Sequence, residues 1–289
     1  MAAETSAVTL GAANCFKRIT RVMRRELIRM VGVCRSKCSA LIGTKKGGVV
    51  HKGCQGICDA NGAHVFDGEW DSNALYRVLT QGDDEFWRGK KVLDIGANTC
   101  GLSIEIARRG AEVVALEPDP YGVTYAQSKA VVDSIVDVER LKLSVVAKGL
   151  FDAHEYQNFD VVLCLGLLYH FRYPQLILDY LSSVKMDWLF LSTQVHPGDS
   201  LAMFNRVDSS IPFPPNFFDS STILTGWHPT RPLLERMLRW AGFSEIESLT
   251  DKPFVFPKKP TGLTNSAYYR CKRTSAVDPA SAMKQFYPR

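Results

Sequence analysis

Short apolar runs and amphipathic stretches alternate through the middle of the chain. Val92–Ile95, Glu112–Leu116, Leu141–Val146, 160–165 and Trp188–Ser192 are runs of strand length, bounded by turn residues or charge. Between them lie helical patterns. Leu102, Ile104, Ile106 and Ala107 lead to Arg108, Arg109 and Gly110, and Leu176, Ile177, Tyr180 and Leu181 follow Pro174. A helix is also predicted over 72–80, before the first strand, and another over 232–241, ahead of strands at 245–249 and 267–271. Strand–helix alternation of this kind predicts an α/β fold, a doubly wound and mostly parallel sheet joined by right-handed crossovers.

The flanks differ from this core. Phe16, Ile19, Met23, Leu27 and Met30 recur at three- and four-residue steps over 16–42, with arginines mostly elsewhere around the predicted helix. Residues 45–65 are rich in Gly and Cys without periodicity, and are predicted to be an irregular linker or lid. Residues 196–229 hold Pro197, Pro212, Pro214 and Pro215 together with Phe204, Phe213, Phe217, Phe218 and Trp227, a long insertion whose aromatics either cover the cleft or plug the sheet end. The expected organisation is an N-terminal extension over 1–65, a catalytic domain over 66–275 with a lid near 196–229, and a basic tail over 276–289.

Composition is that of a soluble globular chain, 46% hydrophobic and 22% charged over 289 residues. No apolar run approaches the roughly 18 residues of a membrane-spanning helix. The net charge of +5 is uneven: residues 1–48 hold ten Lys/Arg against two Glu, so the remainder is slightly acidic. A basic leader of this kind admits four roles: a helix capping the core, an organelle transit segment, a contact with anionic lipid, or a contact with RNA phosphates. Two of the eight cysteines, Cys100 and Cys164, fall in elements where a disulfide framework has no place. This predicts a reducing compartment, the cytoplasm, with an organelle reached through the basic helix as the alternative. Cys34, Cys38, Cys54 and Cys58 have a pair spacing that tetrahedral zinc tolerates, but lack the usual two-residue knuckle, and no metal is expected.

The chemistry concentrates at residues 91–101, Lys-Val-Leu-Asp-Ile-Gly-Ala-Asn-Thr-Cys-Gly. A strand ending in Asp94, a small-residue turn and a helix start together form a place where backbone N–H groups and the helix dipole face a ligand. The spacing Gly96-x-Asn98-x-x-Gly101 half-fits a dinucleotide turn, but Asp94 would repel a pyrophosphate and suits a ligand ammonium. Glu117, about 20 positions on, has the place of an acid that accepts from ribose hydroxyls. These residues resemble the class I S-adenosylmethionine (SAM)-dependent methyltransferases. Within that family, Asp67-Gly68-Glu69-Trp70, Leu168-Tyr169-His170-Phe171-Arg172-Tyr173-Pro174 and Trp227-His228-Pro229-Thr230 occur together in one subgroup. The subgroup contains the bacterial enzyme that alkylates the wobble uridine of tRNA with a carboxylated SAM derivative, along with many methyltransferases of undefined substrate. The resemblance spans about residues 65–275.

The resemblance implies a seven-stranded sheet with a terminal antiparallel pair, and SAM as cofactor held by Asp94, Gly96, Asn98, Gly101 and Glu117, with Asp152 on the adenine amino group. Tyr169 and His170 are the candidate catalytic residues, with His170 either a base or a cleft-shaping group. Arg172 and Trp227 are the candidate substrate contacts. Cys100 stands where the family has glycine, which requires the turn to be rewound by one residue. The lysine that selects the carboxylated donor has no secure counterpart, since Lys52 aligns only with inserted residues, so plain SAM is the expected donor. The acceptor is a small molecule or RNA, with tRNA wobble uridine as the named alternative, and nothing in the sequence sets the oligomeric state. An NAD(P)-binding oxidoreductase and a non-catalytic SAM-binding protein are the competing readings.

Overall fold

The central sheet is built from β1 (Lys91–Ile95), β2 (Glu112–Leu116), β3 (Leu143–Val146), β4 (Val161–Leu165), β5 (Trp188–Gln194), β6 (Phe243–Ser248) and β7 (Ser266–Arg273). These seven strands lie in the order β6-β7-β5-β4-β1-β2-β3, and only β7 runs antiparallel to its neighbours. The structure is a computed structural model that describes residues 44–45, 48–118, 125–171, 173–205, 227–249 and 266–275. The predicted leader helix, the middle of the proline-rich insertion and the tail lie outside the described residues.

Burial on both faces explains the near-continuous apolar runs. On one face Val92, Val161, Leu163 and Phe190 pack with Leu79 of α1 (Ser72–Thr80) and Leu102 and Ile106 of α2 (Gly101–Arg108). α3 (Tyr125–Glu139) adds Val132 and Ile135 to this cluster. On the other face Leu93, Ile95, Val162 and Leu191 pack with Ile177 and Leu181 of α4 (Pro174–Ser183) and with Leu234 and Leu238 of α5 (Arg231–Trp240). No helix among the described residues is long and apolar enough to cross a membrane.

The strands and helices predicted within the described residues are present, with small shifts at their ends. β3 starts at Leu143 rather than Leu141, because the Leu141 N–H is turned back onto the Val136 carbonyl at the end of α3. Residues 45–65 are a larger correction: they are not an irregular linker. His51–Gln55 pairs parallel with Gly68–Trp70, and Ile57–Cys58 pairs antiparallel with His64–Phe66. The turn between the latter two is organised by Asp59, whose carboxylate accepts from the Asn61 and Ala63 N–H groups. Strands of two to five residues show too little alternation to be read from pattern, and these are held by their docking on α2. The insertion after β5 is pinned at its base, where Met203–Asn205 pairs antiparallel with Trp227–Pro229.

The docking is tightest at Gly101. A Cβ there would lie 2.2 Å from Ser72 Oγ and 2.5 Å from the Gly56 carbonyl oxygen, two atoms already joined by a 2.6 Å hydrogen bond. Helix propensity alone would favour alanine by about 1 kcal/mol, but overpacking against backbone costs about 1–3 kcal/mol. Gly101→Ala is therefore expected to be destabilising in urea unfolding, with new proteolytic sensitivity around residues 51–58. A variant at least as stable as its parent would contradict this packing.

Candidate active site

Sheet order reverses between β1 and β4, so their C-terminal ends open a crevice where ligands of doubly wound folds bind. Strand alternation sends Asp94 to the α2 face of the sheet, beneath the start of that helix. It is 3% exposed, and the Ser103 hydroxyl donates to its Oδ2 at 2.6 Å. Burial pushes the Asp94 carboxyl up to about 6, against the pull of the Ser103 hydrogen bond.

The bend after β1 uses three left-handed residues, Gly96 (φ 73°), Asn98 (φ 58°) and Cys100 (φ 64°). At Gly96 a Cβ would meet Leu167 Cδ1 at 2.8 Å, so this glycine lets the β4 loop close on the bend. Asn98 tolerates the left-handed conformation better than most side chains do, and its Oδ1 accepts from the Gln55 and Thr99 N–H groups, both at 2.9 Å. Cys100 is fully buried in the apolar cluster beneath α2. The bend does rewind to accommodate it, and burial holds its thiol well above the usual range.

Glu117 follows β2 and is 7% exposed, with Oε2 accepting from the Asn98 N–H at 2.8 Å. Burial pushes its carboxyl up to about 8; the Asn98 hydrogen bond opposes the shift and the nearby Asp94 charge adds to it. Asp152 lies in the turn after β3, where its Oδ2 accepts from the Gly149 N–H at 3.0 Å and closes that turn. Asp94, Gly96, Asn98 and Glu117 thus lie at the ends of β1 and β2, whereas Gly101, in the first turn of α2, packs against Ser72 and Gly56.

The opposite side of the crevice is aromatic. Tyr169 and His170 sit on a 3-10 turn after β4, with ring centroids 4.1 Å apart. Burial pushes the Tyr169 phenol up to about 12. The ring of His228 stands edge-on to Tyr169 at 6.2 Å. His228, rather than its neighbour Trp227, is thus the member of the Trp-His-Pro-Thr motif that faces Tyr169. Successive strand residues point to opposite faces, and the pairing of Trp227–Pro229 with Met203–Asn205 decides which one does. Arg172 lies outside the described residues.

Gln55 is a further residue at the bend that periodicity did not single out; an isolated glutamine in a Gly- and Cys-rich segment carries no signal of its own. Its backbone carbonyl accepts from the Thr99 hydroxyl at 2.7 Å, and its Oε1 accepts from the Leu102 N–H at 2.9 Å. The cysteine set divides. Cys54 is buried in the core, and Cys58 Sγ lies 3.8 Å from His64 Nδ1 with its thiol raised by burial. Cys34 and Cys38 lie outside the described residues, among which no three His, Cys, Asp or Glu gather as a metal-ligand set.

Comparison with known proteins places this geometry. A family model described as a methyltransferase domain matches residues 93–184. The tRNA U34 carboxymethyltransferase of Pseudomonas putida (strain W619) is 30% identical over 195 residues, which cover 66% of this chain and 56% of that protein. The mitochondrial ubiquinone biosynthesis O-methyltransferase of Schizosaccharomyces pombe is 32% identical over 96 residues, 33% of each chain. The crystal structure of the N-terminal domain of EvdMO1 with SAH bound shares the fold at a TM-score of 0.52 and 18% identity, over 87% of this chain and 97% of that one. The chain spans a little over half the length of the tRNA relatives it matches.

The buried carboxylates generate a pH dependence. A carboxyl whose folded pKa lies above its unfolded value costs stability as pH rises, because the native state retains a proton that the unfolded chain has released. For Glu117 that loss runs from about pH 4.5 to about pH 8. Glu117→Gln keeps an acceptor for Asn98 and is expected to raise the unfolding midpoint near pH 8.5 by roughly 2–4 °C, with no gain near pH 4. Equal gains at both pH values, in a calorimetric comparison with the parent, would contradict a buried carboxyl. The chain thus has the fold of the class I SAM-dependent methyltransferases, matches a methyltransferase domain over residues 93–184, and is similar over 66% of its length to the tRNA U34 carboxymethyltransferases.

Proposed function

We propose that this chain transfers a methyl group from SAM to an acceptor bound at the aromatic side of the crevice. The observation that carries the reading is the pair of buried acids, Asp94 and Glu117, joined through the bend that begins at Gly96. The residues fit the cofactor: Glu117 presents a carboxyl beside a glycine bend whose tight approach to Leu167 excludes a side chain. When bound, SAM supplies a methyl already activated on a sulfonium.

The protein's own part is placement and exclusion of water. Glu117 would accept from ribose hydroxyls, and its Asn98 hydrogen bond fixes the carboxylate in the plane of the bend. Asp94 would face the ammonium, which restores the charge that burial opposes. Asp152, already committed in part to Gly149, stands on the adenine side. Tyr169, beside the rings of His170 and His228, would contact donor or acceptor, and either imidazole stands where it could take a proton from an acceptor that must lose one. Arg172 and Trp227 remain candidates for acceptor contact. The buried cysteines Cys54, Cys58, Cys100, Cys164 and Cys271, none of them joined in a disulfide, support a reducing compartment such as the cytoplasm.

A second reading is favoured by the 30% identity to the tRNA enzymes: the acceptor is the wobble uridine of tRNA. The aromatic crevice suits a flat base, and the basic leader suits phosphates.

Isothermal titration tests the donor. S-adenosylhomocysteine and SAM are expected to bind and NAD is not. Asp94→Asn keeps an acceptor for Ser103 but removes the charge, and it is expected to weaken binding about 10- to 100-fold, the range of a charged hydrogen bond. Tight NAD binding without SAM binding would overturn the reading. For the tRNA branch, nucleoside mass spectrometry of tRNA from a deletion strain is expected to show loss of a wobble-uridine modification, and an unchanged profile removes that branch.

A further inference from the structure

Gln55 lies outside the 93–184 domain, at the end of the strand His51–Gln55, yet it is bound to the bend by each of its backbone groups and by its side chain. Its N–H donates to Asn98 Oδ1, its carbonyl accepts from the Thr99 hydroxyl, and its Oε1 accepts from the Leu102 N–H. The last bond fixes the sense of the amide. A flipped group would set Nε2 against the Leu102 donor, so Oε1 must face the helix and Nε2 must face away from that N–H. Gln55 is 7% exposed, and its Nε2 donates to no described protein group while keeping contact with solvent. Those two donor hydrogens are therefore open to an acceptor that a ligand brings to the bend.

Two further facts limit what that acceptor can be. The amide sits at the N-terminal turn of α2, where the helix dipole favours negative charge. Asp94 lies beneath the same turn, hydrogen-bonded to Ser103. A ligand that presents an ammonium to Asp94 and a carboxylate to the helix start would satisfy both, and this is the zwitterionic end of an α-amino acid.

We infer that Gln55 is a specificity residue of the donor site: its side chain caps α2 through Oε1 and donates from Nε2 to the α-carboxylate of the donor's amino-acid moiety. The inference rests on the donor reading above. It makes the strand His51–Gln55 a working part of the donor site, in the place where pattern alone predicts a linker. It also explains why Gly101 and Ser72 hold that strand so closely against the helix, since a shift of about 1 Å would separate Gln55 from both Leu102 and the ligand.

The test compares two ligands that differ only at that end. S-adenosylhomocysteine carries the amino acid, whereas 5′-methylthioadenosine keeps the nucleoside and sulfur and lacks it. Gln55→Glu retains an acceptor for Leu102 but opposes a carboxylate, and Gln55→Met keeps the length and removes the donor. Titration calorimetry on the full chain is expected to show at least a tenfold loss of S-adenosylhomocysteine affinity in both variants, with 5′-methylthioadenosine affinity within twofold of the parent. If Gln55→Glu does not fold, Gln55→Met reads the same ratio. An equal loss for both ligands would mean that Gln55 only braces the bend, and an unchanged S-adenosylhomocysteine affinity would mean that it contributes nothing; either result overturns the inference while leaving the donor reading intact. Failure of the unmodified chain to bind either ligand would overturn the donor reading and this inference together.

Discussion

Two carboxyl groups buried at the ends of adjacent strands are the constraint around which this site is organised. Asp94 and Glu117 lie where solvent cannot stabilise their charge, and each is raised above its ordinary range for that reason. Burial of this kind is tolerated only with compensation. A hydroxyl from α2 serves Asp94, and a backbone N–H from the bend serves Glu117. The compensation is partial, since both carboxyls stay raised despite these hydrogen bonds.

The bend that links the two acids is itself held from outside the sheet. Asn98 is the hinge of this arrangement: its N–H goes to Glu117, and its side chain gathers Gln55 and Thr99. Cys100 fits because the rewound turn aims its side chain into the core instead of the crevice. The thiol is part of the packing beneath α2. The extra strand at 51–55 then does from above what the core does from below, and the bend is clamped between them.

The aromatic side is built differently. Tyr169, His170 and His228 come from two separate segments, and they meet because the insertion after β5 is pinned by a short antiparallel pair. The buried acids therefore sit at rigid strand ends, whereas the aromatic groups depend on the pairing of an insertion.

From the sequence alone, the alternation of apolar runs with helical patterns determined the α/β class, the strands of the sheet and the acids at the ends of β1 and β2. These are short-range properties. Burial on both faces forces a continuous apolar run, and a left-handed bend forces small or permissive residues such as Gly96 and Asn98. Only the tertiary structure decided that residues 51–58 are strands docked on α2, that Cys100 faces the core, and that His228 rather than Trp227 turns toward Tyr169. Each of these depends on partners far away in the chain: Gln55 on Asn98 and Leu102, Gly101 on Ser72 and Gly56, His228 on the register with Phe204. Strands of two to five residues have too few positions to advertise a period, and a single glutamine has no pattern at all. Their meaning comes from contact, which no window along the chain contains.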